Sequence, residues 1–206
     1  MGRYVLGVSG ASGFILAYRA IRIFGELGHD IELVITPSAL YTAAIELGEE
    51  FKTIKRFVAQ FSPLVREKIQ IHSVNDLGAA IASGSYLTDG MLIIPCSMST
   101  VGALSVGLTD NTLRRAADVT LKEGRPLVIV PRETPLSEIH LENLLRLSRR
   151  GVTIIPPVPA WYTLPQTLED IENFIVGKAL DAFKIEHHLY QRWKTPASSK
   201  KEIYVE

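Results

Sequence analysis

Short runs of apolar and β-branched residues recur along the chain, separated by longer stretches in which apolar residues return every three or four positions. The short runs, bounded by turn residues, predict strands at 4–8, 31–35, 91–95, 126–130 and 152–156. The longer stretches predict helices at 14–27, 40–47, 113–122, 136–147 and 168–183. Strands that alternate with helices indicate an α/β fold, in which a doubly wound parallel sheet is covered on both faces.

Two helix starts carry clear local signals. Pro135 follows Thr134, and proline suits the first position of a helix because the amide there needs no helical partner. Thr167 stands three residues before Asp170, which is the spacing of a capping box. Residues 52–88 show no regular period, so the sequence predicts no element there.

The character of the chain changes after about residue 185, where a polar segment with isolated aromatic residues begins. We therefore predict one domain over residues 1–185 and a C-terminal arm over residues 186–206. Tyr190 and Trp193 are costly to expose to water, so we expect the arm to pack on a neighbouring subunit. A disordered tail is the alternative.

Composition narrows the class of protein. The 206 residues are 47% hydrophobic, and Lys plus Arg equal Asp plus Glu at 22 each, so no net basic field attracts nucleic acid or an anionic membrane. Cys96 is the single cysteine, which excludes an intrachain disulfide and favours a reducing cytoplasm. With neither a signal peptide nor an apolar run of membrane-spanning length, we expect a cytoplasmic protein with no membrane partner.

Small, polar or charged residues follow every predicted strand. The segments are SGASG (9–13), TPSA (36–39), PCSMST (95–100), PRETP (131–135) and PPVPAWY (156–162). Because the carboxyl ends of parallel strands face one edge of a sheet, we expect all of these segments to converge on one ligand-binding crevice.

The first loop predicts an anionic, phosphorylated ligand. Gly10 and Gly13 allow close approach of the backbone, and the helix that begins near Phe14 directs free amides and the positive end of its dipole into the crevice. The spacing is not GxGxxG and no acidic residue ends the second strand, so a dinucleotide is disfavoured and a mononucleotide such as FMN stays open. A tight turn without a ligand would explain these glycines equally well.

Other polar residues strengthen the prediction of a ligand. Hydroxyl groups suited to a phosphate or a flavin edge lie at Ser38, Ser97, Ser99 and Thr100. Arg132 and Glu133 are either a salt-bridged structural pair or a charge clamp beside a proton-handling carboxylate.

Longer segments carry a family resemblance. VSGASG, ITPSA, PCSMSTVGAL, IIPPVPAWY and the stretch NTLRRAADVTLKEGRPLVIVPRETPLSEIHLENLLRLSRRG resemble the flavin prenyltransferases of the UbiX family over nearly the whole chain. The resemblance implies a flavodoxin-like (Rossmann-like) domain in a homo-oligomer, usually a dodecamer, with active sites at subunit junctions. It implies transfer of a dimethylallyl group from dimethylallyl phosphate to N5 and then C6 of reduced FMN. It also implies that a UbiD-type decarboxylase uses the prenylated FMN.

The resemblance also assigns roles to individual residues. It implies flavin contacts at Gly10, Ala11, Ser12, Ser38, Ser97, Met98, Ser99, Thr100 and Arg132. It implies donor contacts at Tyr162, Lys178 and Arg132, with further polar positions at Lys122, Arg115 and Glu46. Ser12, Glu133 and Trp193 match positions implicated in catalysis. Because the sequence has no carboxylate cluster for a metal ion, we expect Arg132, Lys178, Lys122 and the Tyr162 hydroxyl to neutralise the phosphate instead.

Two departures from the family and two rival functions accompany this prediction. Phe14 stands where a smaller residue is common and Leu77 where some members carry an aromatic, so a diphosphate donor stays open. A flavin-dependent decarboxylase acting directly on an acid would need a catalytic histidine and a PxMNxxMW-like segment, which are not found. An FMN-binding electron carrier would need an acidic face, whereas this chain is charge-balanced.

Overall fold

The centre of the molecule is a six-stranded parallel sheet with the order β3-β2-β1-β4-β5-β6. The structure is a computed structural model, and it describes residues 1–193. The strands are β1 (Arg3–Val8), β2 (Asp30–Ile35), β3 (Ile69–His72), β4 (Gly90–Cys96), β5 (Leu127–Pro131) and β6 (Thr153–Ile154). The predicted doubly wound parallel α/β fold is confirmed, and this strand order is that of the Rossmann type.

Helices cover both faces of the sheet. They are α1 (Phe14–Glu26), α2 (Pro37–Leu47), α3 (Ile54–Ala59), α4 (Pro63–Arg66), α5 (Met98–Ser105), α6 (Thr112–Lys122), α7 (Glu138–Arg149) and α8 (Leu168–Ala182). One core joins α1, α2, α3 and α8 to strand residues such as Leu6 and Leu92. A second core joins α5, α6 and α7 to residues such as Val5 and Met91 on the other face. Adjacent strand residues enter opposite cores because side chains alternate across a sheet.

The pattern failed to indicate β3 and overestimated β6. β3 is a four-residue edge strand, IQIH, in which two of the residues are exposed, so its apolar content is too low to register as a run. β6 covers two of the five predicted residues. Ile155 still donates to the Ile129 carbonyl at 2.9 Å, but Pro156 and Pro157 come next and have no amide hydrogen to extend the ladder.

One of the two signalled helix starts is confirmed and the other is wrong. Thr167 and Asp170 form the predicted capping box of α8. Pro135, by contrast, lies in a loop after a cis peptide bond, and α7 begins at Glu138. Ser137 caps that helix by accepting a hydrogen bond from the His140 amide at 3.3 Å, while the His140 ring accepts one from the Ser137 amide.

The beginning of the predicted arm packs on α8 of the same chain. His187 is buried, and the Tyr190 ring lies so close to Gly177 that a Cβ there would come within 2.7 Å of it. Tyr190 also contacts Phe174, with ring centroids 4.9 Å apart. The remainder of the arm, residues 194–206, lies outside the described residues, and in the part that is described no helix is long and apolar enough to cross a membrane.

Candidate active site

The larger of two cavities at the carboxyl edge of the sheet lies over β1, β2 and β4. Its volume is about 460 Å³, within the roughly 300–1,000 Å³ typical of small-molecule sites. β1 and β4 are spatial neighbours although β2 and β3 lie between them in sequence, so the cavity occupies the point where strand order reverses. The polar residues that line it are Ser9, Thr36, Ser38, Asn75, Ser97, Ser99, Thr100, Asn111 and Arg114.

Hydrogen bonds hold the hydroxyl groups of this cavity in place. Ser97 caps α5, its Oγ accepting a hydrogen bond from the Thr100 amide at 3.3 Å. The Ser97 amide in turn donates to Ser9 Oγ at 2.8 Å. Thr36 Oγ1 and Ser38 Oγ lie 3.0 Å apart. The structure therefore brings three of the predicted segments together around one polar cavity, with Met98 as the first residue of α5.

The close contact between the first two loops requires glycine at position 10. A Cβ on Gly10 would lie 2.4 Å from Ser38 Oγ and 2.6 Å from Ser38 Cβ. These distances are shorter than van der Waals contacts allow. Gly10 thus allows the two loops to touch each other, in addition to any approach to a ligand.

The start of α1 differs from the prediction. The Glu46 carboxylate accepts hydrogen bonds from the Gly13 amide at 3.0 and 3.1 Å and from the Phe14 amide at 2.8 Å. The prediction that these amides are free for a ligand is therefore wrong, because a carboxylate of the chain itself occupies the positive end of the helix. Ala11 completes a tight turn onto Ser9, and Ser12 is half-buried without a side-chain hydrogen bond to any described residue.

A second, smaller cavity lies over β5 and β6. Its volume is about 290 Å³, and it is lined by Pro131, Arg132, Glu133, Thr134, Leu136, Leu144, Pro156, Pro157 and Val158. The Arg132 amide donates to the Cys96 carbonyl at 3.2 Å, so the loop that carries Arg132 adjoins the loop that begins at Ser97. The predicted single crevice is thus two neighbouring cavities on one edge.

Arg132 and Glu133 do not form the structural ion pair that was one of the two alternatives. Glu133 Oε1 accepts a hydrogen bond from the Thr134 amide at 3.0 Å. Within residues 1–193 neither side chain takes part in a salt bridge. Both charges are consequently available to a ligand in the smaller cavity.

Aromatic rings and a lysine gather along α8. The rings of Tyr162 and Trp193 are 5.2 Å apart and edge-to-face, and Tyr162 also contacts Phe174. Lys178 lies one turn farther along the helix, with Nζ 3.4 Å from Asp181 Oδ2. Tyr162 and Trp193 are at least half exposed, and neither they nor Lys178 lines the two cavities of the single chain.

Asp181 anchors the segment that carries Trp193. It accepts hydrogen bonds from His187 Nε2 at 3.1 Å, from Arg192 Nη2 at 2.6 Å and from the Tyr190 hydroxyl. Burial alone would raise the pKa of Asp181, but the hydrogen bonds from Arg192 and Tyr190 outweigh it and hold that pKa well below its usual range. Burial and the neighbouring Asp181 raise the pKa of Tyr190 to about 12.

Replacing Asp181 by asparagine is expected to lower the free energy of unfolding at pH 7 by about 1–2 kcal/mol, because hydrogen bonds to a charged acceptor are lost. A carboxyl whose pKa is depressed by folding stabilises the protein above its unfolded pKa of about 3.9, and this contribution is lost progressively as pH falls from that value toward the lower folded-state pKa. The difference between parent and variant should therefore be constant above about pH 5 and shrink steadily below about pH 4. Urea unfolding measures it, with the exposed Glu186→Gln as control; a difference independent of pH would contradict the assignment.

Two other residues implied by the resemblance lie away from both cavities. Arg115 donates through Nε to the Ala82 carbonyl at 3.2 Å and through Nη1 to Asp118 at 2.8 Å. Lys122 ends α6 beside Glu123, with which it forms an ion pair, close to the amino end of β5. Within one chain the structure brings neither residue to the cavities.

Comparison with known proteins decides the family. The Flavoprotein family model matches residues 2–180. The flavin prenyltransferase UbiX of Chlamydia pneumoniae is 50% identical over 95% of this chain and 100% of its own length. The chain belongs to the UbiX family of flavin prenyltransferases.

Solved UbiX structures share the whole architecture. AnUbiX (PadA1), in complex with FMN and dimethylallyl pyrophosphate, superimposes with a TM-score of 0.85 at 37% identity, covering 94% of this chain and 98% of that one. A dodecameric FMN-dependent UbiX-like decarboxylase from Escherichia coli O157:H7 gives a TM-score of 0.84 at 40% identity, covering 94% of this chain and 100% of that one. The six-stranded fold described above is therefore the UbiX fold.

The departures from the family pattern lie outside the larger cavity. Phe14 is fully buried in the core, its ring centroid 5.0 Å from that of Phe57. Leu77 is exposed on a loop. Neither lines either cavity, so the larger side chain at Phe14 is accommodated in the core of this UbiX protein.

Sequence reasoning missed several residues of the larger cavity. Thr36, Asn75, Asn111 and Arg114 all line it. Asn111 and Thr36 are helix N-caps, a signal that local spacing offers but that does not distinguish a cap from a ligand contact. Arg114 stands beside Arg115, and no period along α6 indicates which of the two faces the cavity.

Gly10→Ala is expected to weaken FMN binding about tenfold or more and to destabilise the fold by about 1–3 kcal/mol, because the added Cβ forces the first two loops apart. Flavin fluorescence titration and urea unfolding measure the two effects. The matched control is Gly102→Ala in α5, where the nearest atom to the added Cβ is Asn143 Nδ2 at 3.6 Å. Parental FMN affinity in Gly10→Ala would show that the loops tolerate separation.

Proposed function

We propose that this protein transfers a dimethylallyl group from dimethylallyl phosphate to N5 and then C6 of reduced FMN. The observation that carries the proposal is the juxtaposition of two cavities in a UbiX fold. One is large and lined by hydroxyl groups. The other is small, has apolar walls and holds an arginine and a glutamate that form no salt bridge with any described residue. The hydrogen bond between the Arg132 amide and the Cys96 carbonyl joins their rims.

The residues of the larger cavity suit FMN. Amide and hydroxyl donors from Ser97 to Thr100 and from Ser38 match a flavin edge and a phosphate. Ser12, which has no side-chain partner among the described residues, leaves a hydroxyl available on the adjacent loop. Reduced FMN supplies the nucleophilic nitrogen and carbon atoms when bound.

The smaller cavity suits a branched five-carbon phosphate ester. Leu136, Leu144 and the prolines after β6 form apolar walls, while Arg132 supplies a planar, permanently charged donor for the phosphate. Loss of phosphate leaves an allylic cation and places negative charge on the leaving group. Arg132, Tyr162 and Lys178 neutralise that charge, which lowers the barrier because they bind the leaving group more strongly than the intact ester.

Glu133 and Trp193 complete the chemistry. Glu133 has one carboxylate oxygen held by the Thr134 amide, which leaves the other to accept the proton lost from the acceptor, with the Ser12 hydroxyl as relay. The Trp193 ring presents a π face to the allylic cation, an interaction of about 2 kcal/mol in a desolvated site.

The site is completed by a neighbouring subunit. Tyr162 and Trp193 are largely exposed, and Lys122 and Arg115 lie away from the cavities of their own chain. The E. coli O157:H7 relative is dodecameric, which supports a homododecamer whose subunit junctions unite these groups with Arg132. We further propose a cytoplasmic protein whose prenylated FMN is passed to a UbiD-type decarboxylase.

Direct decarboxylation of an acid is a second candidate, because the E. coli O157:H7 structure is described as a UbiX-like decarboxylase. The histidines of this chain give it little support. His140 caps α7, His187 binds Asp181, and none of the five lines either cavity. An electron carrier would bind FMN but would need neither Arg132 nor a cavity for a donor.

The proposal predicts that inorganic phosphate is released from dimethylallyl phosphate only when reduced FMN is present. A coupled phosphate assay under anaerobic conditions measures this, with oxidised FMN as the control. Dimethylallyl diphosphate would release pyrophosphate instead, which the same assay detects once inorganic pyrophosphatase is added, so the two rates identify the preferred donor. Absence of both phosphate and pyrophosphate release, with reduced FMN bound, would contradict prenyl transfer.

A further inference from the structure

We propose that Arg114 is the cation that binds the phosphate of FMN, a role distinct from the donor-binding cations. This inference rests on the proposed function only in taking FMN as the ligand of the larger cavity. It concerns binding alone and requires no transfer.

Arg114 is held in place from two sides. It lies in the first turn of α6, where the Asn111 side chain caps the helix by accepting a hydrogen bond from the Arg114 amide at 3.0 Å. The guanidinium Nη1 lies 2.8 and 2.9 Å from the two carboxylate oxygens of Asp110, and Nη2 donates to Ser99 Oγ at 3.2 Å. Only 16% of the side chain is exposed, so little rotamer entropy remains to be lost on binding.

The guanidinium keeps donors for a ligand. Two of its five N–H groups, the one on Nε and the second one on Nη2, have no partner in the part of the chain that the structure describes. Asp110 offsets part of the positive charge of Arg114, but the Asp110 side chain is half exposed. The fixed guanidinium of Arg114 therefore still presents parallel N–H donors to an anion. Ser99 Oγ accepts from Arg114, which leaves the Ser99 hydroxyl proton free to point at the same anion.

Within residues 1–193, the lining of the larger cavity contains one full positive charge, that of Arg114. The other described residues that line it supply hydroxyls, amides and apolar groups. The start of α5, capped by Ser97, adds its dipole on the same side. Arg132 belongs to the other cavity, so the two arginines serve two different phosphates.

The test compares FMN with riboflavin, which has the same ring system but no phosphate. Arg114→Gln is expected to raise the Kd for FMN by about 10- to 100-fold, as loss of a charge-assisted hydrogen bond predicts. It should change the Kd for riboflavin less than about threefold. Arg114→Lys should recover part of the FMN affinity, and Arg66→Gln, an exposed arginine of α4 at the opposite edge of the sheet, should behave as the parent.

Fluorescence titrations without prenyl donor make the outcome independent of catalysis, and riboflavin binding verifies that each variant retains a folded cavity. Equal weakening of both flavins, or parental affinity for FMN, would overturn the assignment. An increase in donor KM with unchanged FMN affinity would also overturn it, because Arg114 would then bind the donor phosphate. A parent enzyme that binds FMN but transfers no prenyl group would contradict the proposed function and leave the role of Arg114 intact.

Discussion

Glu133→Gln is expected to slow prenyl transfer about 10²- to 10³-fold, as the loss of a general base typically does. Glutamine keeps the size of the side chain and an oxygen that can accept the hydrogen bond from the Thr134 amide. It cannot accept a proton at neutral pH, so the side chain should keep its position but can no longer act as a general base. Stopped-flow measurement of the transfer step under anaerobic conditions gives the rate, and fluorescence titration should give an FMN Kd within about twofold of the parent.

The matched control is Glu138→Gln, an exposed glutamate in the first turn of α7, five residues along the chain. It loses a favourable interaction with the helix dipole of about 0.3–1 kcal/mol but no catalytic group. If Glu133→Gln transferred the prenyl group at the rate of the parent, Glu133 would have no part in proton transfer.

Arg132→Met is expected to lower kcat/KM for the prenyl donor about 10²- to 10³-fold, the usual cost of removing one charged donor from a developing anion. Methionine fills a similar volume beside the apolar walls formed by Leu136 and Leu144, so the cavity should keep its shape. Steady-state kinetics with varied donor measure the effect.

Arg132→Lys distinguishes the two contributions of the arginine. Lysine restores the charge but not the paired donors, so we expect only partial recovery of kcat/KM. The exposed Arg66→Met serves as the control at the far edge of the sheet. A parental kcat/KM in Arg132→Met would show that Arg132 does not bind the donor. The donor phosphate would then have to be bound by Lys122 or Arg115 on α6, or by Lys178 on α8.

Most of the fold could be predicted because its buried elements have strong, separate hydrophobic patterns. β1, β2, β4 and β5 are covered on both faces and appear as apolar runs, of which the one in β2 is interrupted by the buried Glu32. The edge strand β3 has little buried surface and therefore little pattern. The start of α7 was missed because a proline at an allowed position is a weaker determinant than the reciprocal hydrogen bonds of Ser137 and His140.

The candidate site could be predicted only in part. That polar loops meet at one edge follows from parallel topology, and the hydroxyls around Ser97 were identified in this way. That Glu46 occupies the amides of α1 depends on a contact between residues more than thirty positions apart, which no local spacing reveals. The contact between Gly10 and Ser38 likewise joins residues that are distant in sequence, and it explains the glycine without reference to a ligand.

The subunit junctions proposed above set a further limit. A single chain leaves Lys122 and Arg115 away from the cavities, and their assignment to the site came from family resemblance alone. The Asp181 cluster shows the converse, since His187, Tyr190 and Arg192 belong to an arm predicted to pack on a neighbouring subunit, yet they bind α8 of their own chain. Sequence pattern reports burial but does not indicate which partner covers a residue.

The mass of the flavin after reaction tests the central claim most directly. Protein incubated anaerobically with reduced FMN and dimethylallyl phosphate should yield a flavin heavier than FMN by one five-carbon prenyl group, and Arg132→Met and Glu133→Gln should yield far less of it in the same time. Recovery of unmodified FMN alone, from folded protein with the donor intact, would contradict the account.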